Sequence, residues 1–329
     1  MTNFAPHSPN NFDTTPRNKF PILAQLGILS LILFGLFSTL LLKSDSTNPK
    51  QTLPTQNIST DNKQYPITPQ KIEEISLRAK AAYVWDIKGQ RALYSKNENE
   101  VLPLASITKL MTALLAHELI SEHQKTEISL SAILQEGSSG LSVGEQMEIE
   151  DLLQLALISS SNDAAYALSA SVGSLLGDQD PASQFVTGMN IRAGELGLNT
   201  LKFRNPTGLD LSDTETGGVG SAKDVSFLME YIIQNYPEIL APTQQANALV
   251  YNTAGAYHEA NNTNYIVDKI PNLIGSKTGY TDLAGGNLTV AFDAGFDRPV
   301  IVTVLGSTQA ERFTDVLRLI EAVQNSLSE

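Results

Sequence analysis

Residue patterns typical of β-strands lie near both ends of this chain, and the long stretch between them is mostly helical in pattern. The segment "AAYVWDIKGQRALYSKN" contains two β-type runs around Lys88-Gly89, which predicts a hairpin. After Asn272, "LIGSKTGY", "GGNLTVAFDA" and "RPVIVTVLGS" follow as strand-like runs, with "AGFDRP" as a turn. The economical assembly places the strands from both ends in one sheet and inserts the segment between them as a helical block.

Helical spacing of apolar residues extends from Ser106 to about Tyr236, for example in "SITKLMTALLAHELI" and "SAKDVSFLMEYIIQNY". The last segment, "QAERFTDVLRLIEAVQNSL", predicts an amphipathic helix, and "KIEEISLRA" near Lys71 is also helix-like. The sequence therefore predicts an α/β fold. Its antiparallel sheet is built from both ends of the domain and flanked by helices, and a helical subdomain is inserted between the strands.

The N-terminal part predicts a membrane anchor. Residues 21–42 contain no charged residue and would form a helix about 33 Å long, enough to cross a bilayer core. Arg17 and Lys19 precede this segment, which places residues 1–20 in the cytoplasm. Residues 43–70 are rich in Ser, Thr, Asn, Gln and Pro and predict a flexible linker. We expect an uncleaved, single-pass signal anchor in the cell membrane, with residues 71–329 on the extracytoplasmic side; a cleaved signal is the alternative.

Charge and composition exclude several classes of function. The net charge is −13, and residues 1–70 carry five Lys or Arg and three Asp or Glu, which leaves −15 for the remainder. So acidic a domain argues against nucleic acid as a partner. The absence of cysteine excludes disulfides, thiol catalysis and Cys-bound zinc, and the four histidines have no metal-ligand spacing. We predict no cofactor and no metal.

The pair Ser106 and Lys109 is the first candidate for chemistry. Three residues are close to one helical turn, so both side chains face the same way at the start of an apolar helix. A serine hydroxyl needs a base within hydrogen-bond reach, and a lysine can serve if burial and nearby positive charge lower its pKa. A capping serine beside a surface lysine would explain the same residues, and this reading is favoured when the pair is taken alone.

Ser160, Ser161 and Asn162 interrupt an apolar helical pattern, which indicates a break that faces a cavity. A second hydroxyl there could relay a proton, and the amide could hold a substrate carbonyl. A helix N-cap at Ser161 or Asn162 explains the pattern equally well.

Lys277, Thr278 and Gly279 lie in a predicted strand. Glycine leaves room for another backbone to approach an edge strand, and the lysine and threonine could bind a carboxylate. A strand that simply ends in a turn is the alternative.

Together, in this order and at gaps of 54 and 117 residues, S-x-x-K, S-x-N and K-T-G are the three signatures of the serine penicillin-recognising enzymes. Flanking segments, among them "VWDIKGQRALYSKNENEVLPLASITKLMTALLA", "LGLNTLKFRNPTGLD" and "IGSKTGYTDLAGGNLTVAF", resemble the low-molecular-mass D-alanyl-D-alanine carboxypeptidases, peptidase family S11. The resemblance covers about residues 75–320. It implies a penicillin-sensitive DD-peptidase domain that removes the terminal D-alanine of peptidoglycan stem peptides, with β-lactam antibiotics as inhibitors.

The resemblance also implies a role for each motif residue. Ser106 would be the nucleophile and Lys109 its base, Ser160 would pass the proton to the leaving amine, and Asn162 would position the acyl side. The substrate-binding residues would be Lys277, Thr278, Gly279, Tyr280 and Arg312. Of these, Lys277 and Thr278 would bind the terminal carboxylate, and Arg312 matches an arginine that the family uses near this carboxylate. The backbone N–H groups of Ser106 and Tyr280 would form the oxyanion hole. Two features depart from the family: Ser161 stands where glycine is usual, and we expect anchoring by the N-terminus rather than by a C-terminal segment.

Three other functions, two enzymatic and one not, fit parts of this pattern. A D,D-endopeptidase of the same family would carry the same motifs. A membrane-tethered class A-like β-lactamase would need a glutamate that activates the deacylating water, and Glu195 to Asn199 has the E-x-x-x-N spacing. A wall-binding protein without activity is disfavoured, because every motif residue is intact.

Overall fold

A computed structural model describes residues 72–137, 140–177, 179–295 and 297–328. The strands are β1 (Ala81–Asp86), β2 (Arg91–Lys96), β3 (Leu102–Pro103), β4 (Lys125–Glu127), β5 (Gln146–Glu148), β6 (Lys202–Phe203), β7 (Gly218–Gly220), β8 (Asn247–Tyr251), β9 (Tyr257–Asn261), β10 (Leu273–Thr281), β11 (Gly285–Asp293) and β12 (Pro299–Ser307). The α-helices are α1 (Lys109–Leu119), α2 (Leu130–Ile133), α3 (Ile149–Leu157), α4 (Asn162–Gly173), α5 (Pro181–Glu195), α6 (Ala222–Asn235) and α7 (Glu311–Ser328). The expected anchor and linker lie outside the described residues, and within those residues no helix is long and apolar enough to cross a membrane.

The main sheet joins the two ends of the domain. Its strand order is β10-β11-β12-β1-β2, and every neighbouring pair is antiparallel. The join is the pair β1–β12, in which Ala81 lies opposite Leu305 and Asp86 lies opposite Val300. The predicted α/β fold, with a sheet from both ends and an inserted helical block, is confirmed.

Both faces of the sheet are buried, which explains the continuous apolar run in β12. Ile301 and Leu305 belong to the core shared with the helical block, whereas Val300, Val302 and Val304 belong to the core beneath α7. α6 packs on β1 and β12, and α7 packs on β11 and β12. Each valine fully buried in this way contributes roughly 1.5–3 kcal/mol relative to an exposed one.

Helix α1 lies at the centre of the helical block, in contact with α3, α4 and α5. Its first eight residues, Lys109 to Ala116, are all buried. A helix buried on all sides has no solvent face on which to place a charge. The lysine at its start is therefore held inside the protein, and its amine must find polar partners there.

The helix predicted from "KIEEISLRA" is wrong, because residues 72–77 have no regular secondary structure. The N–H of Ile72 donates to the carbonyl of Leu93 on β2 (3.0 Å), and Ile75 and Leu77 pack on the core beneath α7. β2 is an edge strand with unpaired backbone groups, and a covering segment satisfies some of them. The hairpin β8–β9 was not predicted.

Candidate active site

Ser106 lies in a tight turn that leads directly into α1. The turn, Ala105–Thr108, is a 3-10 helix, and α1 begins at Lys109, so the serine and lysine side chains share one side. Ala105 has a φ of +48°, a left-handed conformation that costs free energy for a residue with a side chain. The backbone of Gly208 packs tightly against this turn and helps to hold it. It lies so close that an added Cβ would come within 1.9 Å of the Ala105 carbonyl oxygen.

The Lys109 amine is buried among three oxygen atoms. Its Nζ lies 2.8 Å from Ser106 Oγ, 2.7 Å from Asn162 Oδ1 and 2.9 Å from the Thr207 carbonyl oxygen. The residue has no exposed surface. Burial, followed by repulsion from Lys277, holds the pKa of Lys109 well below its usual range.

These contacts fix the direction of the amine lone pair. The Thr207 carbonyl and the Asn162 side-chain oxygen can only accept hydrogen bonds, and a neutral amine has two N–H donors and one lone pair. When both donors point to those oxygens, the lone pair is directed at the Ser106 hydroxyl. Lys109 is thus placed to accept the proton of Ser106.

The polar residues after α3 form the predicted break between α3 and α4. Ser160 has a φ of +60°, and Ser161 caps α4 by accepting from the N–H of Ala164 (3.0 Å). Asn162 donates from Nδ2 to the carbonyl of Glu136 (2.6 Å), which turns its oxygen towards the lysine amine. The N-cap reading is correct for Ser161, while Ser160 and Asn162 face the site.

Lys277 and Thr278 lie on β10, the edge strand of the main sheet. Lys277 Nζ donates to Ser160 Oγ (2.9 Å) and to the carbonyl of Thr278 (3.0 Å). Burial, followed by repulsion from Arg312, lowers the pKa of Lys277 to about 7. Two lysines with lowered pKa values therefore line one site, one beside each serine hydroxyl.

The remaining predicted residues complete one wall. Arg312 is almost fully buried, and its Nη1 donates to the carbonyl of Gly279 (2.7 Å). Among the described residues, the Nε of Arg312 has no hydrogen-bond partner. Tyr280 is 43% exposed. Two lysines and an arginine thus converge within an acidic protein, which suits an anionic group on the substrate.

Several residues that hold the site were not predicted. The carbonyl groups of Glu136 and Thr207 contact the site through the backbone, which carries no residue-specific signal. Asn287 donates to the carbonyls of Pro103 and Leu104 just before the nucleophile turn (2.9 and 3.0 Å). A single buried amide in the apolar run "GGNLTVAF" was the available signal for Asn287.

Glu195 lies away from the nucleophile. It is the last residue of α5, its side chain is 57% exposed, and it pairs with Arg192 (3.0 Å). Arg192 also pairs with Glu118 (2.6 Å), at the far end of α1. Lys109 starts that helix, so the axial separation from Glu118 is roughly 13 Å. The E-x-x-x-N spacing does not place its glutamate beside Ser106.

A fold of this topology, with a lysine amine against a serine hydroxyl, defines the class of serine DD-peptidases and serine β-lactamases. The family model for D-alanyl-D-alanine carboxypeptidase matches residues 68–309. The chain therefore belongs to the D-alanyl-D-alanine carboxypeptidase family, as its motifs predicted.

Individual relatives agree with this assignment. A D-alanyl-D-alanine carboxypeptidase of Bacillus subtilis is 32% identical over 257 residues, which cover 76% of this chain and 63% of the relative. A D-alanyl-D-alanine endopeptidase of Escherichia coli is 29% identical over 246 residues, covering 73% of this chain and 75% of the relative. The ampicillin-bound structure of a Listeria monocytogenes penicillin-binding protein has a TM-score of 0.63 at 30% identity and covers 76% of this chain and 99% of its own.

Proposed function

We propose that this protein is a penicillin-sensitive serine carboxypeptidase that removes the terminal D-alanine of peptidoglycan stem peptides through an acyl-enzyme. The observation that carries the proposal is the buried Lys109 amine. It contacts the side-chain oxygen of Asn162 and the carbonyl of Thr207, and its remaining hydrogen-bonding direction points at Ser106 Oγ. Burial and repulsion from Lys277 lower the pKa of Lys109, which favours the neutral amine over the ammonium.

In the first half-reaction, Ser106 Oγ attacks the carbonyl carbon of the penultimate D-alanine while Lys109 takes the hydroxyl proton. The backbone N–H groups of Ser106 and Tyr280 stabilise the oxyanion. Ser160, which accepts a hydrogen bond from Lys277, relays the proton that Lys109 took from Ser106 to the leaving amine, and the C–N bond breaks. Lys109 is then neutral again for the second half-reaction. The terminal carboxylate is bound by Lys277, Thr278 and Arg312.

In the second half-reaction, a water molecule attacks the ester that joins the peptide to Ser106. Lys109 takes the proton of this water and returns it to Ser106 Oγ as the ester bond breaks. Asn162 positions the acyl side throughout, and its own orientation is fixed by the Glu136 carbonyl. A β-lactam follows the same first half-reaction, but its ring-opened product stays attached to the serine.

The test is labelling of the full-length chain with a fluorescent penicillin, run beside a D-alanine release assay on a stem pentapeptide. We expect the label on Ser106, and its loss in Ser106→Ala. Lys109→Ala should lose acylation almost as completely, and the double variant should be no slower, because nucleophile and base act as a unit. Lys125→Ala, a change of an exposed lysine on β4, is the control. Labelling that survives in Ser106→Ala would refute the nucleophile assignment.

Cleavage of D,D cross-links is the second candidate activity, favoured by the 29% identity to the Escherichia coli endopeptidase. A cross-linked muropeptide dimer, offered beside the pentapeptide, separates the two. Faster cleavage of the dimer would make the protein an endopeptidase without changing the roles of the site residues.

We also propose that residues 21–42 anchor the protein in the cell membrane, with the catalytic domain outside the cytoplasm. The support is a charge-free segment of membrane-spanning length preceded by Arg17 and Lys19. Cell fractionation and protease accessibility of the full chain, compared with a chain lacking residues 1–43, test this proposal. Recovery of the full chain in the soluble fraction would contradict it.

A further inference from the structure

The segment Asn262–Asn264 lies against β10 beside the candidate carboxylate-binding residues. Asn262 and Asn264 are both buried and hydrogen-bonded at both ends of their side-chain amides. Asn262 donates to the carbonyls of Thr243 and Gln245 (2.9 and 2.8 Å) and accepts from the N–H of Asn264 (2.8 Å). The residue between the two asparagines therefore has a rigid support.

Asn264 connects this support to the strand. It donates to Ser276 Oγ (3.0 Å) and accepts from the N–H of Ile266 (3.2 Å). Ser276 and Thr278 are two residues apart on β10, so their side chains share one face of the strand. The same face that receives Asn264 therefore presents the Thr278 hydroxyl to the preceding residue, Thr263.

Thr263 contacts two walls of the site. Its N–H donates to the carbonyl of Ile158 (3.1 Å), two residues before Ser160. Its hydroxyl oxygen lies 2.5 Å from Thr278 Oγ1, and either hydroxyl could be the donor. Among the described residues, the Thr278 hydroxyl makes no other hydrogen bond.

The direction of that hydrogen bond follows from the chemistry of the ligand. A carboxylate only accepts, so Thr278 can bind one only by donating its single hydroxyl proton. That proton is then not available to Thr263, and the short contact between the two hydroxyls must be made by the proton of Thr263. We propose that Thr263 is a positioning residue that donates to Thr278 and thereby directs the Thr278 hydroxyl at the terminal carboxylate of the substrate. This inference rests on the proposed function.

If Thr263 directs the Thr278 hydroxyl, replacing Thr263 should weaken the reaction mainly with ligands that carry the carboxylate. Replacing Thr263 by valine keeps the shape and removes the donor, so Thr278 is free to turn away. One neutral hydrogen bond of this kind corresponds to roughly a three- to ten-fold change. A methyl ester in place of the carboxylate is a neutral and weaker acceptor of the Thr278 proton, so it should sense the change much less.

The experiment compares benzylpenicillin with its methyl ester on the full-length chain, using the second-order rate constant of acylation measured by mass spectrometry. For Thr263→Val we expect a three- to ten-fold loss with benzylpenicillin, through weaker initial binding, and no more than a two-fold change with the ester. Thr263→Ser, which keeps the hydroxyl, should behave like the wild type with both. Thermal denaturation of both variants identifies any general loss of folding.

Two results would overturn the inference alone: an equal loss with acid and ester, or a serine variant as slow as the valine variant. If the wild type takes up neither penicillin, the proposed function fails and this inference fails with it.

Discussion

Gly279 lies directly against the backbone of Leu104, so that a Cβ atom at residue 279 would come within 2.7 Å of the Leu104 carbonyl oxygen. The same atom would come within 3.1 Å of the Ser106 nitrogen. The edge strand and the nucleophile turn are thus in contact through backbone atoms, which have no flexible part that could move aside. β10 can lie this close to the nucleophile turn only because residue 279 has no side chain.

Gly279→Ala should therefore push β10 away from the nucleophile turn. A displacement of about 1 Å can cost roughly 100-fold in rate, and we expect a loss of that order in the acylation rate by penicillin. The matched control is Gly194→Ala, because a Cβ at this helical glycine meets no atom within 4 Å. That variant should acylate normally and should unfold at the same temperature or slightly higher. Normal acylation of Gly279→Ala would show that the contact is not needed.

The pKa of Lys277 predicts the alkaline limit of activity. Burial lowers it to about 7 in the free protein, and only the charged ammonium attracts a carboxylate. Since kcat/KM reports the free enzyme, it should fall as the pH rises through that value. Lys277→Arg keeps the charge at high pH and should move this limb upward by more than one pH unit. The acid limb, assigned to protonation of Lys109, should remain. An unchanged alkaline limb in the variant would assign it to another group.

Asn287 fastens the chain just before the nucleophile turn to the sheet. It donates to two carbonyls there and accepts from the N–H of Gly306 (2.8 Å), and it is fully buried. Asn287→Ala leaves these groups without a partner, and we expect a loss of about 3 kcal/mol in the free energy of unfolding in urea. Asn99→Ala, at an exposed position, should stay within about 0.5 kcal/mol of wild type. Equal stabilities of the two variants would contradict this role.

Glu195→Gln separates a peptidase from a class A-like β-lactamase. Because Glu195 pairs with Arg192 at the surface, the variant should release D-alanine and penicilloyl product within a few-fold of wild type. The penicilloyl-enzyme should persist for minutes, which corresponds to a barrier of roughly 20 kcal/mol. A mass-spectrometric time course of the adduct measures this lifetime. Rapid turnover of penicillin that collapses in Glu195→Gln would make the protein a tethered β-lactamase.

The centre of the sheet was predictable because its strands obey one rule. β1, β11 and β12 are nearly all apolar or small, as expected for strands covered on both faces. Residues 72–77 did not follow from local pattern, since Ile72 and Ile75 have helical spacing but are held by an open strand edge. That edge comes from tertiary structure, which no local window contains.

For the site, the sequence predicted the motif side chains but not the groups that hold them in place. Ser106, Lys109, Ser160, Asn162 and Lys277 come together in the structure as the motif set suggested. Their catalytic roles stay predictions. The partners that fix them could not be read in advance, because the Thr207 and Glu136 contacts use backbone carbonyls and Thr263 is an ordinary residue until the fold places it beside Thr278.

The pairing of β1 with β12 has a consequence for biosynthesis. Residues 81–86 reach the ribosome exit more than 200 residues before their partners at 299–307. Until then the hairpin β1–β2 has an unpaired edge, and the nucleophile turn lacks the strand that closes the site against it. Pairings of such long sequence separation form slowly. A nascent chain therefore carries the complete S-x-x-K pair long before the rest of the candidate site, and the proposed acylation can begin only when nearly all of the domain has been made.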